Sequence, residues 1–145
     1  MSAFLCDSCF VIALADRLEA YYENSWDYLR SHTTGHYYLI PYPSMFEILS
    51  QRMVDNPAAM SILEKKFFMN PNVNTVYISD RKYRENSLLE CMNDQQNIIR
   101  HLSFVDTIIR NMVKSKDIRK DALITFNKGD FKDVCSQSKV ELISF

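Results

Sequence analysis

Four acidic side chains stand in surroundings that are otherwise apolar or turn-like: Asp7 in "FLCDSCF", Glu47 in "SMFEIL", Asp106 in "SFVDTIIRNMV" and Asp130 in "LITFNKGDF". Carboxylates gathered at one place repel one another unless a cation neutralises them, so a group of this kind predicts a hard divalent ion. Oxygen donors with no Cys or His requirement favour Mg²⁺ or Mn²⁺. Each acid also has an ordinary explanation. Ser44-x-x-Glu47 spells a helix capping box, Ser103-x-x-Asp106 is a close relative of one, and Asp7 can be a plain helix cap. Taken singly, these residues read as caps; only a fold that joins them makes a site.

Cys6 and Cys9 bracket Asp7 with the spacing of a metal clip or a redox pair. The other two cysteines, Cys91 and Cys135, are scattered, and no second close pair or His-x-His partner completes a zinc set. Free, mostly buried thiols in a reducing compartment are expected, with Cys6 pointing into the core from a strand and Cys9 from a first helical turn. His32, His36 and His101 show no ligand spacing and are assigned no chemistry.

The elements that must position the acids follow from the hydrophobic pattern. "AFLC" is a short apolar run ending at Asp7 and reads as a buried strand, after which Asp7 or Ser8 caps a helix with Phe10, Val11, Leu14 and Leu18 on one face. A helical stretch around Trp26, Tyr28 and Leu29 leads to a turn and then "YYLIPY", a second strand. Pro43 and Ser44 open a helix with Met45, Phe46, Ile48, Leu49 and Met53 as its apolar face. Asn56 caps the next, Pro57 starts it, and Asn70-Pro71 stops it. "VNTVYIS" alternates as a third strand; Asp80 is expected to cap a long helix through Leu88, Leu89, Met92 and Ile98. A further helix begins at Ser103, "DALITF" is a fourth strand running into a polar turn with Asn127 and Asp130, and "VELISF" is a fifth. Strands alternating with helices imply one α/β domain, 1–145, with a mostly parallel sheet of four to five strands covered on both faces. In such a sheet, strand-to-helix junctions collect at the carboxyl edge. Asp7, Glu47 and the Asn127–Asp130 turn belong to that edge by pattern; Asp106 follows a helix and is placed less firmly.

Composition bounds the function. The chain has 145 residues, 47% of them hydrophobic, enough for one sizeable core. Its two glycines, Gly35 and Gly129, exclude glycine-rich phosphate cradles. A net charge of −1 gives no global pull toward nucleic acid or membrane, although the segment from Arg110 to Lys132 is locally basic. "CFVIALA" mimics a secretory core, but it lacks a basic flank and is interrupted by Asp7. No run is long enough to span a bilayer, and a cytoplasmic location is expected.

The order of these motifs resembles the PIN-domain nucleases: Asp at the first strand's end, Glu after the second strand, Asp in a late helix, then "ITFNKGDF". It is most similar to the single-domain toxins of the VapC type, and the resemblance spans nearly the whole chain. It implies a three-layer α/β/α fold and metal-dependent hydrolysis of RNA phosphodiester bonds. Asp7, Glu47 and Asp106 would be the catalytic, metal-binding acids. The family's last motif usually reads Thr-Asn-Asp followed shortly by Asp-Phe; here Thr125-Phe126-Asn127 precedes Asp130-Phe131. Asn127 therefore stands where the fourth acid is usual, so either Asp130 supplies the missing carboxylate or one ion alone is held firmly.

Ser8 and Thr125 would orient a ligand or a water. Arg110, Lys114 and Lys128 would contact phosphates flanking the cleaved bond, a solvated helix face being as good an account of Lys114. Tyr37, Tyr38 and Tyr42 could stack on bases, with core or interface packing the commoner role for such residues. The resemblance also implies a small antitoxin as partner and a homodimer. Two other readings remain open: a non-catalytic PIN-like module that binds RNA or protein, motivated by Asn127, and a DNA-directed nuclease in defence. A phosphotransfer domain fits worse, since Cys9 stands where a second Asp would be needed.

Overall fold

Strand β1 (Ala3–Cys6) occupies the middle of a five-stranded, all-parallel sheet whose order is β3 (Asn74–Ile78), β2 (Tyr37–Pro41), β1, β4 (Ala122–Ile124), β5 (Glu141–Ile143), seen in a computed structural model that describes residues 1–93 and 102–145. Its side chains alternate between the two faces, as a strand's period of two requires. Phe4 and Cys6 enter one core; Ala3 and Leu5 enter the other. Both faces are covered by helices, so the strand reads as a continuous apolar run.

Helices α1 (Ser8–Ala15), α2 (Tyr22–Ser31), α3 (Ser44–Ile48), α4 (Gln51–Val54) and α5 (Pro57–Ile62) fill the first layer, built around Phe10, Leu14, Leu29, Tyr38, Ile40, Ile48 and Phe67. The last helix continues as a π-helical segment from Leu63 to Phe68. Helices α6 (Arg84–Asn93), α7 (Phe104–Lys114) and α8 (Lys128–Ser138) belong to the other side, where Ile108, Ile109, Met112, Phe131 and Val134 pack on Leu5, Leu39 and Leu123. The architecture is a three-layer α/β/α sandwich. Strands β2, β3, β4 and β5 complete the sheet, and Gly35, at φ +78°, supplies the left-handed turn that leads into β2. Among the described residues no helix is long and apolar enough to cross a membrane.

Several expectations are corrected. The helix expected from Ser44 through Met53 breaks at Leu49–Ser50 into α3 and α4, where Ser50 turns extended, at φ −64° and ψ 164°, ahead of α4. Phe46 and Leu49 are exposed rather than core; Phe46 is two residues from the buried Ile48 and so lies on another side of α3. Asp80 does not cap α6; its carboxylate accepts from the Arg84 guanidinium at 3.0 and 3.1 Å, and a turn separates it from the helix. Leu88, Leu89 and Met92 face solvent, and Ile98 lies outside the described residues. Leu18, expected on the buried face of α1, lies beyond the end of that helix and is exposed. The polar turn after β4 is in fact the start of α8, which buries Phe131, Val134 and Cys135 at helical spacing.

Candidate active site

Asp7 leaves β1 while its own N–H still donates to the Ile124 carbonyl of β4 at 3.0 Å, so the sheet fixes its backbone. It then caps α1: Oδ1 accepts from the Ser8 N–H at 2.8 Å. Oδ2 accepts from the Thr125 hydroxyl at 2.8 Å and from the Cys9 thiol at 3.5 Å. The residue is 2% exposed. Burial pushes its carboxyl above the usual range, and the bonds from Thr125, Ser8 and Cys9 pull it back only in part.

Glu47 comes from α3, which follows β2 at the same carboxyl edge. Its carboxyl is raised by desolvation and then by the charges of Asp7 and Asp106, while a bond from the Ser8 hydroxyl lowers it. Asp106 sits in the first turn of α7, where the Ser103 Oγ accepts from its N–H at 3.0 Å. It too is raised, by desolvation first, then Asp7, with Asp130 adding a further push against a lowering bond from Ser103. The chain thus brings Asp7, Glu47 and Asp106 from three distant segments into one electrostatic neighbourhood. Asp7 and Asp106 raise Glu47, and Asp7 and Asp130 raise Asp106.

The capping roles are real for two of the three. Asp7 and Asp106 each stand at a helix start, which is how the fold carries them to one edge. Ser44 behaves otherwise: Pro43 precedes it as the cap, and the buried Ser44 hydroxyl has no partner among the described residues, so the expected box at Ser44 is not formed.

The supporting residues divide. Thr125 and Ser8 touch acids directly, and Thr125 also accepts from the Asn127 N–H at 3.1 Å. Asn127 is exposed just before α8, and Asp130 lies in that helix's first turn, facing Asp106 electrostatically. Lys114 and Lys128 are exposed at the end of α7 and the start of α8. Arg110 is engaged elsewhere: its guanidinium donates to both carboxylate oxygens of Asp133 at 2.7 and 2.8 Å and to the Asp130 carbonyl at 2.6 Å, joining α7 to α8. His101 lies outside the described residues.

Cys9 departs from the expectation of plain packing. Its sulfur lies 3.9 Å from Thr125 Oγ1 and accepts from the Phe126 N–H at 3.4 Å, besides donating to Asp7. Burial and the Asp7 charge push its thiol up to about 12, so it is a neutral brace behind the acid. The signal was its position two residues beyond Asp7, which carries the side chain back over the helix start. Cys6 is buried in the core as expected, and all four cysteines are free.

The donor chemistry of the three acids suits a hard divalent ion: oxygen atoms only, on carboxylates that raise one another. As placed, no three His, Cys, Asp or Glu side chains among the described residues stand close enough to grip a metal.

The sheet order and the three layers are those of a VapC-like fold, which solved structures share. One is the VapC20 toxin of Mycobacterium tuberculosis, which cleaves the sarcin-ricin loop; the match has a TM-score of 0.59 at 13% identity and covers 90% of this chain and 94% of that one. Another is VapBC2 of Rickettsia felis bound to a DNA fragment from its promoter, with a TM-score of 0.58 at 12% identity and 98% of each chain covered. No family model matches the sequence, and no curated protein does.

Proposed function

We propose that this chain is a divalent-metal-dependent endoribonuclease, and that it acts as the toxin of a toxin–antitoxin pair. The observation that carries the reading is that three acids from distant segments, Asp7, Glu47 and Asp106, act on one another at the carboxyl edge. The shared fold with a toxin that cleaves an RNA loop supports it.

Asp7 would be the fixed acid, held by three donors and by the sheet. Glu47 and Asp106, from α3 and α7, would complete the ligand set, with Asp130 and the Asn127 side-chain oxygen on the flank. Mg²⁺ or Mn²⁺, when bound, polarises a phosphate oxygen and lowers the pKa of a coordinated water. The residues' own tasks are to present carboxylate oxygens, to keep them ionised through the bonds from Ser8 and Thr125, and to orient them. Lys114 and Lys128 would meet flanking phosphates, and a small antitoxin would cover the cleft.

The test is cleavage of an unpaired RNA with Mn²⁺, compared with single-stranded and duplex DNA. Wild-type cleavage that EDTA stops and Asp7→Asn abolishes is the expected result. A second reading, a PIN-like module that binds without cutting, draws on Asn127 in the place of an acid. RNA binding with no cleavage under any divalent ion would favour it. Preference for DNA would favour a defence nuclease.

A further inference from the structure

The surface beside the acids carries information about what they act on. Of the tyrosines in and after β2, Tyr38 is fully buried and stacked on Phe10, with ring centroids 6.2 Å apart and an interplanar angle of 10°. Tyr37 opens the strand at its amino end. Tyr42 comes after the strand, at the carboxyl edge, and is 54% exposed. One helical turn further on, Phe46 is 75% exposed and immediately precedes Glu47. The two rings meet edge to face, centroids 6.2 Å apart at 87°, so Tyr42 steadies a Phe46 ring that is largely open to water.

Charge narrows what these rings can serve. The charged groups that shift Glu47 and Asp106 are Asp7, Asp106 and Asp130, all acids, which repel a polyanion. Uncharged contacts beside Glu47 would add to the hold that Lys114, Lys128 and a bound ion supply. Base–aromatic stacking is such a contact, tolerant of sequence because every base has a π-face. In a duplex those faces are already occupied by neighbouring base pairs, so a ring on the surface selects unpaired nucleotides.

We propose that Phe46, braced by Tyr42, is a stacking platform that holds an unpaired nucleobase beside the acids. This rests on the nuclease reading, which is what brings RNA to that edge.

The experiment uses the full chain and two RNA oligonucleotides of the same sequence, one unpaired and one in a duplex, each carrying a fluorescent 2-aminopurine. Cleavage is followed with Mn²⁺, and quenching of the probe is followed separately in EDTA. Phe46→Ala should raise KM for unpaired RNA about tenfold and leave kcat within about twofold. It should also abolish quenching, while Phe46→Trp restores both and Leu18→Ala, another exposed residue, changes neither. An unchanged melting temperature in Phe46→Ala excludes a folding artefact.

Wild-type cleavage with unchanged KM and quenching in Phe46→Ala overturns the platform and leaves the nuclease standing. Quenching without cleavage keeps the platform and removes the nuclease, and absence of both removes both. An equal loss on duplex RNA overturns the preference for unpaired bases. If Phe46→Ala leaves RNA kinetics alone but converts a dimer to a monomer by light scattering, the ring is a contact between copies and the proposal fails.

Discussion

Thr125→Val isolates the bond on which the placement of Asp7 most depends. The substitution keeps the side-chain shape at a fully buried position and removes one hydroxyl, which donates to Asp7 Oδ2 at 2.8 Å. A hydrogen bond to a charged group is worth about 1.5–3 kcal/mol. The Asn127 N–H loses its acceptor as well, but Asn127 is exposed and water replaces that partner. The expected loss at neutral pH is therefore about 2–3 kcal/mol in the metal-free protein. For a chain of this size that lowers Tm by roughly 6–12 °C. The pH dependence follows from the raised carboxyl of Asp7. A group raised on folding contributes stability that is complete below its unfolded value and lost as pH rises through the folded one. Removing Thr125 raises Asp7 further, so the penalty should be largest at pH 7 and shrink as the solution is acidified toward the ordinary carboxylate range. Urea melts of wild type, Thr125→Val, Asp7→Asn and the double variant at several pH values give the coupling, expected at about 1 kcal/mol or more. A loss below about 0.5 kcal/mol, or the same loss in the Asp7→Asn background, would refute the assignment of this bond to the charged acid.

Asp7→Asn itself should raise metal-free stability at neutral pH, because it removes a buried charge, and should remove the fall in stability as pH rises from the ordinary carboxylate range through the raised value of Asp7; chemical denaturation reads both. Mn²⁺ at about 100 times its dissociation constant should stabilise wild type by about 2.7 kcal/mol, and neither Asp7→Asn nor Asp106→Asn should gain as much at the same concentration; thermal shift measures this. Arg110→Met should lose about 1–2 kcal/mol, discounted because Asp133 is part-exposed, while leaving kcat for RNA cleavage near wild type if its task is to join α7 to α8. Cys9 should resist alkylation in the native protein at pH 8 and react only after unfolding, since its thiol is pushed up to about 12; peptide mass spectrometry locates the label.

The sheet was legible because each strand is a short apolar or β-branched run ending in a helix signal, and "AFLC", "YYLIP" and "ALI" fall where the pattern places them. Asp7 and Asp106 were legible twice over, since the cap that explains each residue locally is also what delivers it to the edge. What escaped has local causes. Helix α8 was hidden because Asn127, Gly129 and Asp130 mimic a turn, although Phe131, Val134 and Cys135 carry a helical period. The break between α3 and α4 falls at an extended Ser50 inside a run whose apolar residues continue across it, which a propensity reading does not see. The hold of Asp133 on Arg110 and of Cys9 on the acid site are long-range contacts, set by which helices pack together.

The register of the central strand also dictates when the site can exist. β1 is made before β4, yet the Asp7 N–H bonds the Ile124 carbonyl and its side chain accepts from Thr125, 118 residues further along. On a ribosome Asp7 must wait for β4 before its position is defined. A polypeptide interrupted before β4 would carry Asp7, Glu47 and Asp106 in full and still lack the strand that sets the first of them in place. Such a fragment would have the three carboxylates without their placement, a lack of topology rather than of chemistry.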